Sequence, residues 1–286
     1  MALPATAGDE GAVRSIAEGS TSANALLLTL LGEFVRPLGG TVWTATLIEA
    51  MAALDVETKT TRQALSRTSK SGTLEKERHG RRTRWSITPA GNLFLEQGYD
   101  RIYHFGIRQE PWDNTWLIVI ASVPEADRHL RYRMRTRLAW AGFAPIGPGI
   151  WLSPWSSHEA EALETLEGLG LAESAISFVG RPGAFGNVEE RIHEAWDLSR
   201  LEARYADFIT NFATNAKPSS DLEAFVWLTR LVHSWRQFPI YDPGLPHVLL
   251  PRTWNGSDAA KAFHASHQLW SPAAGRWWNS LVKMAE

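Results

Sequence analysis

The sequence has 286 residues, of which 44% are hydrophobic and 21% are charged, and its formal net charge is −2. This length allows two or three domains, and this composition is typical of an ordinary globular protein. The absence of cysteine excludes a disulfide framework and thiolate metal sites. No apolar run approaches the ~20 residues of a membrane-spanning helix, so a cytoplasmic protein with no membrane partner is the simplest interpretation.

The N-terminal part of the chain begins with a polar tail and continues with two predicted helices. Residues 1–21 are small and polar, with no apolar core of the signal-peptide type, and we expect a disordered tail. An apolar run from Ser22 to Val35 follows a Ser/Thr cluster suited to capping, which predicts a helix. Val42 and Trp43 predict a short strand, and Thr44 to Leu54 predict a second helix.

A basic stretch runs from Glu57 to Arg84. It contains nine Lys or Arg and three acidic residues, a net +6, so the rest of the chain carries about −8. Its first half predicts a helix with one small-to-apolar face, because the following four residues recur at helical spacing: Thr61, Ala64, Leu65 and Thr68. Gly72 is suited to the position just past the end of this helix.

A hairpin is predicted after the basic helix. Leu74 to Arg78 and Arg82 to Thr88 read as two strands, with a turn at His79 and Gly80. A basic helix followed by a basic two-stranded wing is the layout of a winged helix-turn-helix, which binds double-stranded DNA. The alternative is a solvated basic face on an unrelated domain.

The predicted DNA-binding residues divide into two roles. Side chains on the helix that can read base edges in a fork geometry are Arg62, Gln63 and Arg67. Lys59, Lys70 and the four wing arginines are expected to hold phosphates. The complete predicted set is Lys59, Thr60, Arg62, Gln63, Arg67, Lys70, Arg78, Arg81, Arg82 and Arg84.

The middle of the chain alternates strands and helices. Thr88 and Pro89 predict the start of a helix that continues to about Phe105. Then come, in order, strand 116–123, helix 125–141, strands 143–146 and 150–153, helix 157–168 and strand 175–179. This β-α-β-β-α-β order predicts a ferredoxin-like unit.

The C-terminal part is predicted to be helical. The predicted helices are 189–215, 221–238, one that opens at Ser257 or Asp258, and 272–283, with a proline-rich loop at 242–254. The fold class is therefore α+β with several domains. The expected boundaries are a tail 1–21, a winged helix-turn-helix domain with a connecting helix 22–108, a ferredoxin-like domain 109–184 and a helical domain 185–286.

Several segments of the chain resemble the PaaX family of bacterial transcriptional repressors. They include TLLGEFVRPLGGTVW at 29–43, TRQALSRTSKSGTLEKERHGRRTRWSIT at 61–88, WDNTWLIVIASVPE at 112–125, RTRLAWAGFAPIGPGIWLSP at 135–154 and LVHSWRQFPIYDPGLPHVLLP at 231–251. The resemblance covers about residues 24–275. The chain departs from the family pattern at Thr61, where an apolar residue is usual, and at Glu57, where a capping serine is common.

The resemblance implies a dimeric repressor that an acyl-coenzyme A thioester releases from its operator, in aromatic catabolism such as that of phenylacetate. It also implies a middle domain similar to a small CRISPR-associated ribonuclease subunit. Arginines crowd the predicted helix 125–141 and can receive coenzyme A phosphates, or they form a solvated face. Aromatic side chains of the C-terminal part can line an acyl pocket or pack in the core. The predicted effector-binding residues are Arg128, Arg131, Arg135, Trp196, Tyr205, His233 and Trp235.

Two other classes of function are open to such a chain. A metal-dependent nuclease of the middle domain needs an acidic residue at the end of the first strand, where this chain has Ala121, Ser122 and Val123, and Glu125 is the first carboxylate. His264 and His267 share a helix face, but two ligands do not close a metal site. We therefore predict no catalytic residue, no metal and no cofactor. A protein-binding scaffold is disfavoured by the basic helix.

Overall fold

The computed structural model describes residues 22–106, 111–124, 126–213 and 216–285. The predicted tail 1–21 and Glu125 lie outside these ranges. The chain is a mixed α+β protein with two compact units, which we call the basic unit (22–105, 207–237 and 258–285) and the middle unit (106–206 and 238–257). The division into three domains remains a prediction. None of the described helices combines the length and apolar character needed to cross a membrane.

The basic unit opens with helix α1, Ala23–Leu30, which begins where the Ser22 hydroxyl accepts a hydrogen bond from the backbone N–H of Ala25. The predicted helix is confirmed, but its second half is a π-helical turn, Leu31–Val35. Strand β1, Thr41–Trp43, and helix α2, Thr44–Ala52, follow as expected.

Helix α3, Thr58–Lys70, is the predicted basic helix, and its buried face is the predicted one: Thr61, Ala64, Leu65 and Thr68. Thr61 is completely buried where the family resemblance leads us to expect an apolar side chain. Its hydroxyl donates to the carbonyl oxygen of Glu57 at 3.1 Å, so the buried oxygen is satisfied within the helix. Thr68 has hydrogen-bond partners in Ala64 and in Asn24 of α1, both at 2.9 Å.

Strands β2, Leu74–His79, and β3, Arg82–Ile87, form the predicted hairpin. The turn residues are Gly80 and Arg81, one position later than predicted, because His79 still pairs with Arg82. Strand β1 pairs antiparallel with β3, which gives the sheet order β1-β3-β2.

Helix α4, Pro89–Tyr103, starts at the predicted cap: the Thr88 hydroxyl accepts from the N–H of Gly91 at 2.9 Å. The start of α4 packs against the segment that leads into β2, since the N–H of Thr88 donates to the carbonyl oxygen of Thr73 at 3.1 Å. The α4 helix is thereby joined to the hairpin at its first turn.

In the middle unit, the described residues of 116–180 form four strands and two α-helices in the predicted chain order. They are β4 Trp116–Ile120, α5 Arg128–Trp140, β5 Ala144–Gly147, β6 Ile150–Ser153, α6 Glu159–Glu167 and β7 Ile176–Gly180. The sheet is antiparallel throughout, in the order β5-β6-β4-β7. Leu117 and Val119 of β4 face a core with Met134 and Leu138 of α5. Trp116 is buried in a second cluster.

The predicted helix 189–215 is wrong as a single element. The chain forms α7, Val188–Trp196, and α8, Leu198–Phe212. Asp197 between them has φ 45°, the left-handed conformation that ends a helix, and no glycine signals it. Helix α9, Asp221–Trp235, ends before the predicted boundary and is followed by a short helix α10, Phe238–Tyr241.

The two predicted C-terminal helices are one continuous helix, α11, Gly256–Ala285, with Pro272 inside it. A proline in a helix interior costs about 3 kcal/mol, since it removes a backbone donor and crowds the preceding turn. On both sides of the proline, Trp270, Ala274 and Trp278 are buried. Burial of these side chains offsets the cost and carries the helix through the proline.

A first prediction concerns the close approach of α4 to the hairpin. A Cβ on Gly91 would overlap the carbonyl oxygen of Thr73 and lie 2.9 Å from its carbonyl carbon, whereas one on Gly98 in the same helix would meet nothing within 4 Å. We expect Gly91→Ala to lower the free energy of unfolding by about 1–3 kcal/mol. Gly98→Ala should leave it unchanged or raise it by up to ~1 kcal/mol. Urea unfolding followed by tryptophan fluorescence measures both, and equal stability of the two variants would contradict the packing described.

A second prediction concerns His233 of α9, which is 6% exposed in the core of the basic unit. The Thr29 hydroxyl lies within hydrogen-bond distance of two groups, the Ala25 carbonyl oxygen at 3.1 Å and Nδ1 of His233 at 3.3 Å. Burial, together with the positive charge of Arg236, lowers the pKa of His233 to about 4. The folded pKa lies below the unfolded value of about 6.5, so this stabilisation is complete above pH 6.5 and is lost as the pH falls towards 4.

The expected loss from this one group is about 3 kcal/mol across that window. His233→Asn removes the titrating ring, so the stability difference between the parent and this variant should shrink as the pH falls from 7.5 to 4. The matched control is His129→Asn, which changes an exposed histidine of α5. Parallel pH profiles for the parent and His233→Asn would show that His233 is not held neutral.

Candidate nucleic-acid interface

The outer face of α3 gathers the predicted helix residues. At 100° per residue, the side chains from Arg62 to Arg67 span an arc of roughly 140°, and this arc includes Lys59, Gln63 and Lys70. All five are exposed, and so is Thr60 beside them. Because Thr61, Ala64, Leu65 and Thr68 fill the opposite face, the helix presents its cations together to solvent.

The positive charge of this face is not neutralised locally. Helix α3 contains no acidic residue, and among the described residues no ion pair involves Lys59, Arg62, Arg67 or Lys70. Arg67 and Lys70 lie in the last turn, where the helix dipole favours cations. An uncompensated cationic helix face suits a polyanion such as the DNA backbone.

Trp43 supports the arginines of the hairpin, a role that sequence reasoning missed. The guanidinium carbon of Arg82 lies 4.2 Å from the centroid of the Trp43 ring and that of Arg84 lies 5.9 Å from it. Arg84 also donates to the Thr41 hydroxyl at 2.7 Å. The only sequence signal is a tryptophan in a three-residue strand, and its pairing with Arg84 becomes visible once the register is known.

The predicted wing arginines do not all lie on one face. Opposite residues of an antiparallel pair share a face, so Arg82 and Arg84 lie on the side of Trp43. Arg78 pairs with Thr83 and lies on the other side, and Arg81 lies in the turn. Arg78, Arg81 and Arg82 are exposed. The hairpin therefore carries cations on both faces and at its tip.

The three predicted effector arginines share the exposed face of α5. Arg128, Arg131 and Arg135 are spaced by three and four residues and are all exposed. Arg131 also donates weakly to the carbonyl oxygen of Pro124, at 3.4 Å. This face can meet phosphates from solvent.

The four predicted aromatic effector residues lie in two different units. Trp196 and Tyr205 belong to the middle unit, and His233 and Trp235 to the basic unit. Tyr205 is 1% exposed, stacks on Phe238 and donates to the Asp242 carboxyl at 2.5 Å. Burial raises the pKa of both Tyr205 and Asp242. Trp235 is fully buried and donates to the carbonyl oxygen of Ile102 at 2.9 Å.

The middle unit contains a pocket of about 310 Å³ that sequence reasoning did not indicate. Trp116, Ile118 and Leu152 line it from the sheet. The exposed arginines Arg181 and Arg191 also border it, and α7 begins beside it. Its other lining residues are Ile146, Gly180, Pro182, Phe185, Gly186 and Asn187. Residues 180–187 read only as a Gly/Pro-rich loop in the sequence, so no pattern marks them as a site.

The position discussed for a catalytic metal carries no carboxylate in the structure. Strand β4 ends at Ile120, and the next residues are a buried Ala121 and an exposed Ser122. Glu125 lies outside the described residues. Within the described ranges, no group of three or more His, Asp or Glu side chains is placed to hold a metal ion.

Comparison with known proteins gives one consistent family. Residues 22–91 match the family model for PaaX-like protein, 109–192 the PaaX protein central Cas2-like domain and 196–280 the PaaX-like protein C-terminal domain. The transcriptional repressor PaaX of Escherichia coli strain K12 is 29% identical over 263 residues, which cover 88% of this chain and 82% of that protein.

A solved structure has a similar fold. The uncharacterised protein Rv0674 from Mycobacterium tuberculosis superposes with a TM-score of 0.58 at 19% identity, over 92% of this chain and 99% of the other. The three family models follow one another along nearly the whole described chain. The chain belongs to the PaaX family.

Proposed function

We propose that this protein is a DNA-binding transcriptional repressor. The observation that carries the proposal is the exposed, unneutralised cationic face of α3 beside the basic hairpin. The likeness to the E. coli repressor supports the same conclusion. We also propose a cytoplasmic protein without enzymatic activity, in keeping with that relative.

The proposed architecture has three parts. Helices α1–α3 and the sheet β1-β3-β2 support the proposed winged helix-turn-helix at 22–108. The alternating strands and helices within 109–184, with the first strand between the third and the fourth, support the proposed ferredoxin-like fold. Residues 185–286 form the proposed helical domain.

In the proposed complex, α3 lies in the major groove and the hairpin contacts the backbone or an adjacent groove. Arg62, Gln63 and Arg67 read base edges, because they lie on the solvent face of the helix. The two arginines offer a fork of N–H donors, and Gln63 offers an amide donor beside a carbonyl acceptor. The remaining proposed DNA-binding residues hold phosphates: Lys59, Thr60, Lys70, Arg78, Arg81, Arg82 and Arg84. A homodimer places two such heads on two half-sites of the operator.

Replacing Arg81 and Arg82 by Ala tests the contact between the wing and DNA. We expect binding to operator and to random duplex to weaken by similar factors, because phosphate contacts carry no sequence information directly. The slope of log K against log salt should become shallower by about 0.9 for each phosphate that the variant no longer neutralises. Mobility shifts at several salt concentrations measure this slope on an operator located by footprinting near the protein's own gene.

Two further variants complete this test. Arg62→Ala should cost about 1–3 kcal/mol on the operator and less on random duplex, since it removes a base contact. Arg252→Ala, a change at an exposed arginine of a middle-unit loop, should leave both affinities unchanged. An unchanged salt slope in the Arg81/Arg82 variant would mean that the wing does not touch DNA.

We further propose that an acyl-coenzyme A thioester, such as that of phenylacetate, releases the repressor from DNA. Two surfaces are suited to it: the arginine face of α5 and the 310 Å³ pocket of the middle unit. The pocket has about twice the volume of a 150 Å³ cavity that accommodates benzene. An aryl group therefore fits in the pocket, while the nucleotide end of the thioester has to lie outside it.

A titration with phenylacetyl-coenzyme A, followed by tryptophan fluorescence, tests this effector. Saturating operator should raise the dissociation constant of the ligand, and saturating ligand should raise the dissociation constant of the operator. Linkage requires the two factors to be equal, and such factors are typically ~5–150-fold. Loss of binding in Arg181→Ala with Arg191→Ala would assign the pocket. Loss in the triple Ala variant of Arg128, Arg131 and Arg135 would assign the α5 face. Equal ligand constants with and without operator would refute this effector.

A further inference from the structure

The middle unit leaves one edge of its sheet uncovered. Strand β7 is an edge strand, because the sheet order is β5-β6-β4-β7. Its residues 176–179 are all exposed, and three of them are large and apolar: Ile176, Phe178 and Val179. The strand contains no charged residue. Exposed apolar side chains on an uncharged sheet edge are typical of a surface that pairs with another chain.

Part of one face of the sheet is also uncovered. Alternate residues of β4 face the core with α5, which places Ile118 and Ile120 on the opposite side. On that side, Ile176 is opposite Ile120 and Phe178 is opposite Ile118. Ile120 is 42% exposed and Phe178 is 55% exposed, whereas Trp116 on the same side is buried in a cluster with residues of α7 and α8. The apolar surface beside β7 is therefore open to a partner.

The outer edge of β7 also has backbone groups that can bind a further strand. An edge strand bonds to its one neighbour through alternate residues, and the N–H and C=O groups of the others point outwards. In the part of the chain that the structure describes, Ile176–Gly180 has backbone hydrogen-bond partners only in β4. The outward groups are left to water or to another strand. A fifth antiparallel strand can therefore extend the sheet at β7.

The opposite edge of the sheet is not suited to such pairing. Strand β5 contains Pro145, which has no N–H to donate, and its pairing with β6 is irregular between Pro145 and Gly147. Prolines and irregular strands keep sheet edges from pairing. Pairing of β7 with β5 of another copy would also be open-ended and would produce a filament. Pairing of β7 with β7 is closed, since a two-fold axis makes the two strands antiparallel.

We propose that β7 is the dimer interface of this protein and pairs antiparallel with β7 of a second copy, which joins two four-stranded sheets into one. The inference rests on the proposed function in one respect, since it names the surface through which the proposed homodimer forms. Full overlap of Ile176–Gly180 places the two-fold axis at Phe178, the central residue of the strand. Phe178 then lies opposite Phe178 of the partner subunit, as a cross-strand aromatic pair.

Opposite charges at the two-fold axis test this interface. In analytical ultracentrifugation of the full-length protein without DNA, the parent should be a dimer. Phe178→Lys and Phe178→Glu should each raise the dimer dissociation constant by about tenfold or more, because each removes apolar burial and places like charges opposite each other. An equimolar mixture of the two variants should recover the dimer, since lysine then faces glutamate across the axis. Recovery on mixing also shows that both variants are folded.

The matched control is Leu163→Lys. Leu163 is 52% exposed on α6 of the same unit, so it matches Phe178 in exposure and apolar character but lies away from β7. This variant should dimerise as the parent does. Variants of Phe178 that dimerise like the parent, or a mixture that stays monomeric, would refute the pairing. A monomeric parent, or assemblies larger than a dimer, would mean that the edge binds a different chain or pairs open-endedly, and either result would overturn the proposal.

DNA binding separates this inference from the proposed function. On a duplex that carries one half-site, Phe178→Lys should bind as tightly as the parent, because α3 is unchanged. On the complete operator, the variant should lose the affinity that the parent gains from its second head. If neither protein binds DNA while the pattern of association holds, the repressor is refuted and the interface stands. Equal affinity of the parent and the variant for the complete operator would contradict a dimer built through β7.

Discussion

The packing of the basic helix on the first helix is the constraint on which the proposed DNA-binding surface depends. Thr61, Ala64, Leu65 and Thr68 are buried, and Thr68 is hydrogen-bonded to Asn24 of the first helix. Because these contacts fix the rotation of α3 about its own axis, every cation of α3 lies on the opposite, exposed face. Composition sets the net charge of the stretch, whereas the four buried side chains determine that this charge is concentrated on one surface.

Local sequence patterns were sufficient to predict those elements whose structure is determined by local interactions. The basic helix, the hairpin and the alternating order of the middle unit follow from periodicity and turn residues, and all are present. The break at Asp197 and the continuous helix through Pro272 follow from tertiary packing, which overrides intrinsic preference. The hydrophobic pattern of the sequence shows neither that a helix ends at Asp197 nor that a helix continues through Pro272.

The candidate site shows the same division. The exposed residues of α3 could be named from helical spacing, since burial of one face dictates the other. The part played by Trp43 depends on its pairing with Arg84 across the sheet, and such a register is not encoded in either short strand alone. Arg181 and Arg191 come together only through the course of an irregular loop. Aromatic residues gave the least information about ligand binding, because a tyrosine or tryptophan can line a pocket or pack in a core. Tyr205 and Trp235 are both buried in cores.

The stacking of Arg82 on Trp43 has a consequence for the entropy of complex formation. A long side chain that is free in solution loses about 0.5–1.5 kcal/mol of rotamer freedom when a partner immobilises it. Here the ring and the guanidinium are already in contact at 4.2 Å, and Arg84 is held by Thr41 at 2.7 Å. These two side chains therefore lose part of their conformational entropy when the protein folds, and less of it is lost on binding. In the proposed complex, the hairpin therefore meets the phosphate backbone with these two donors already arranged.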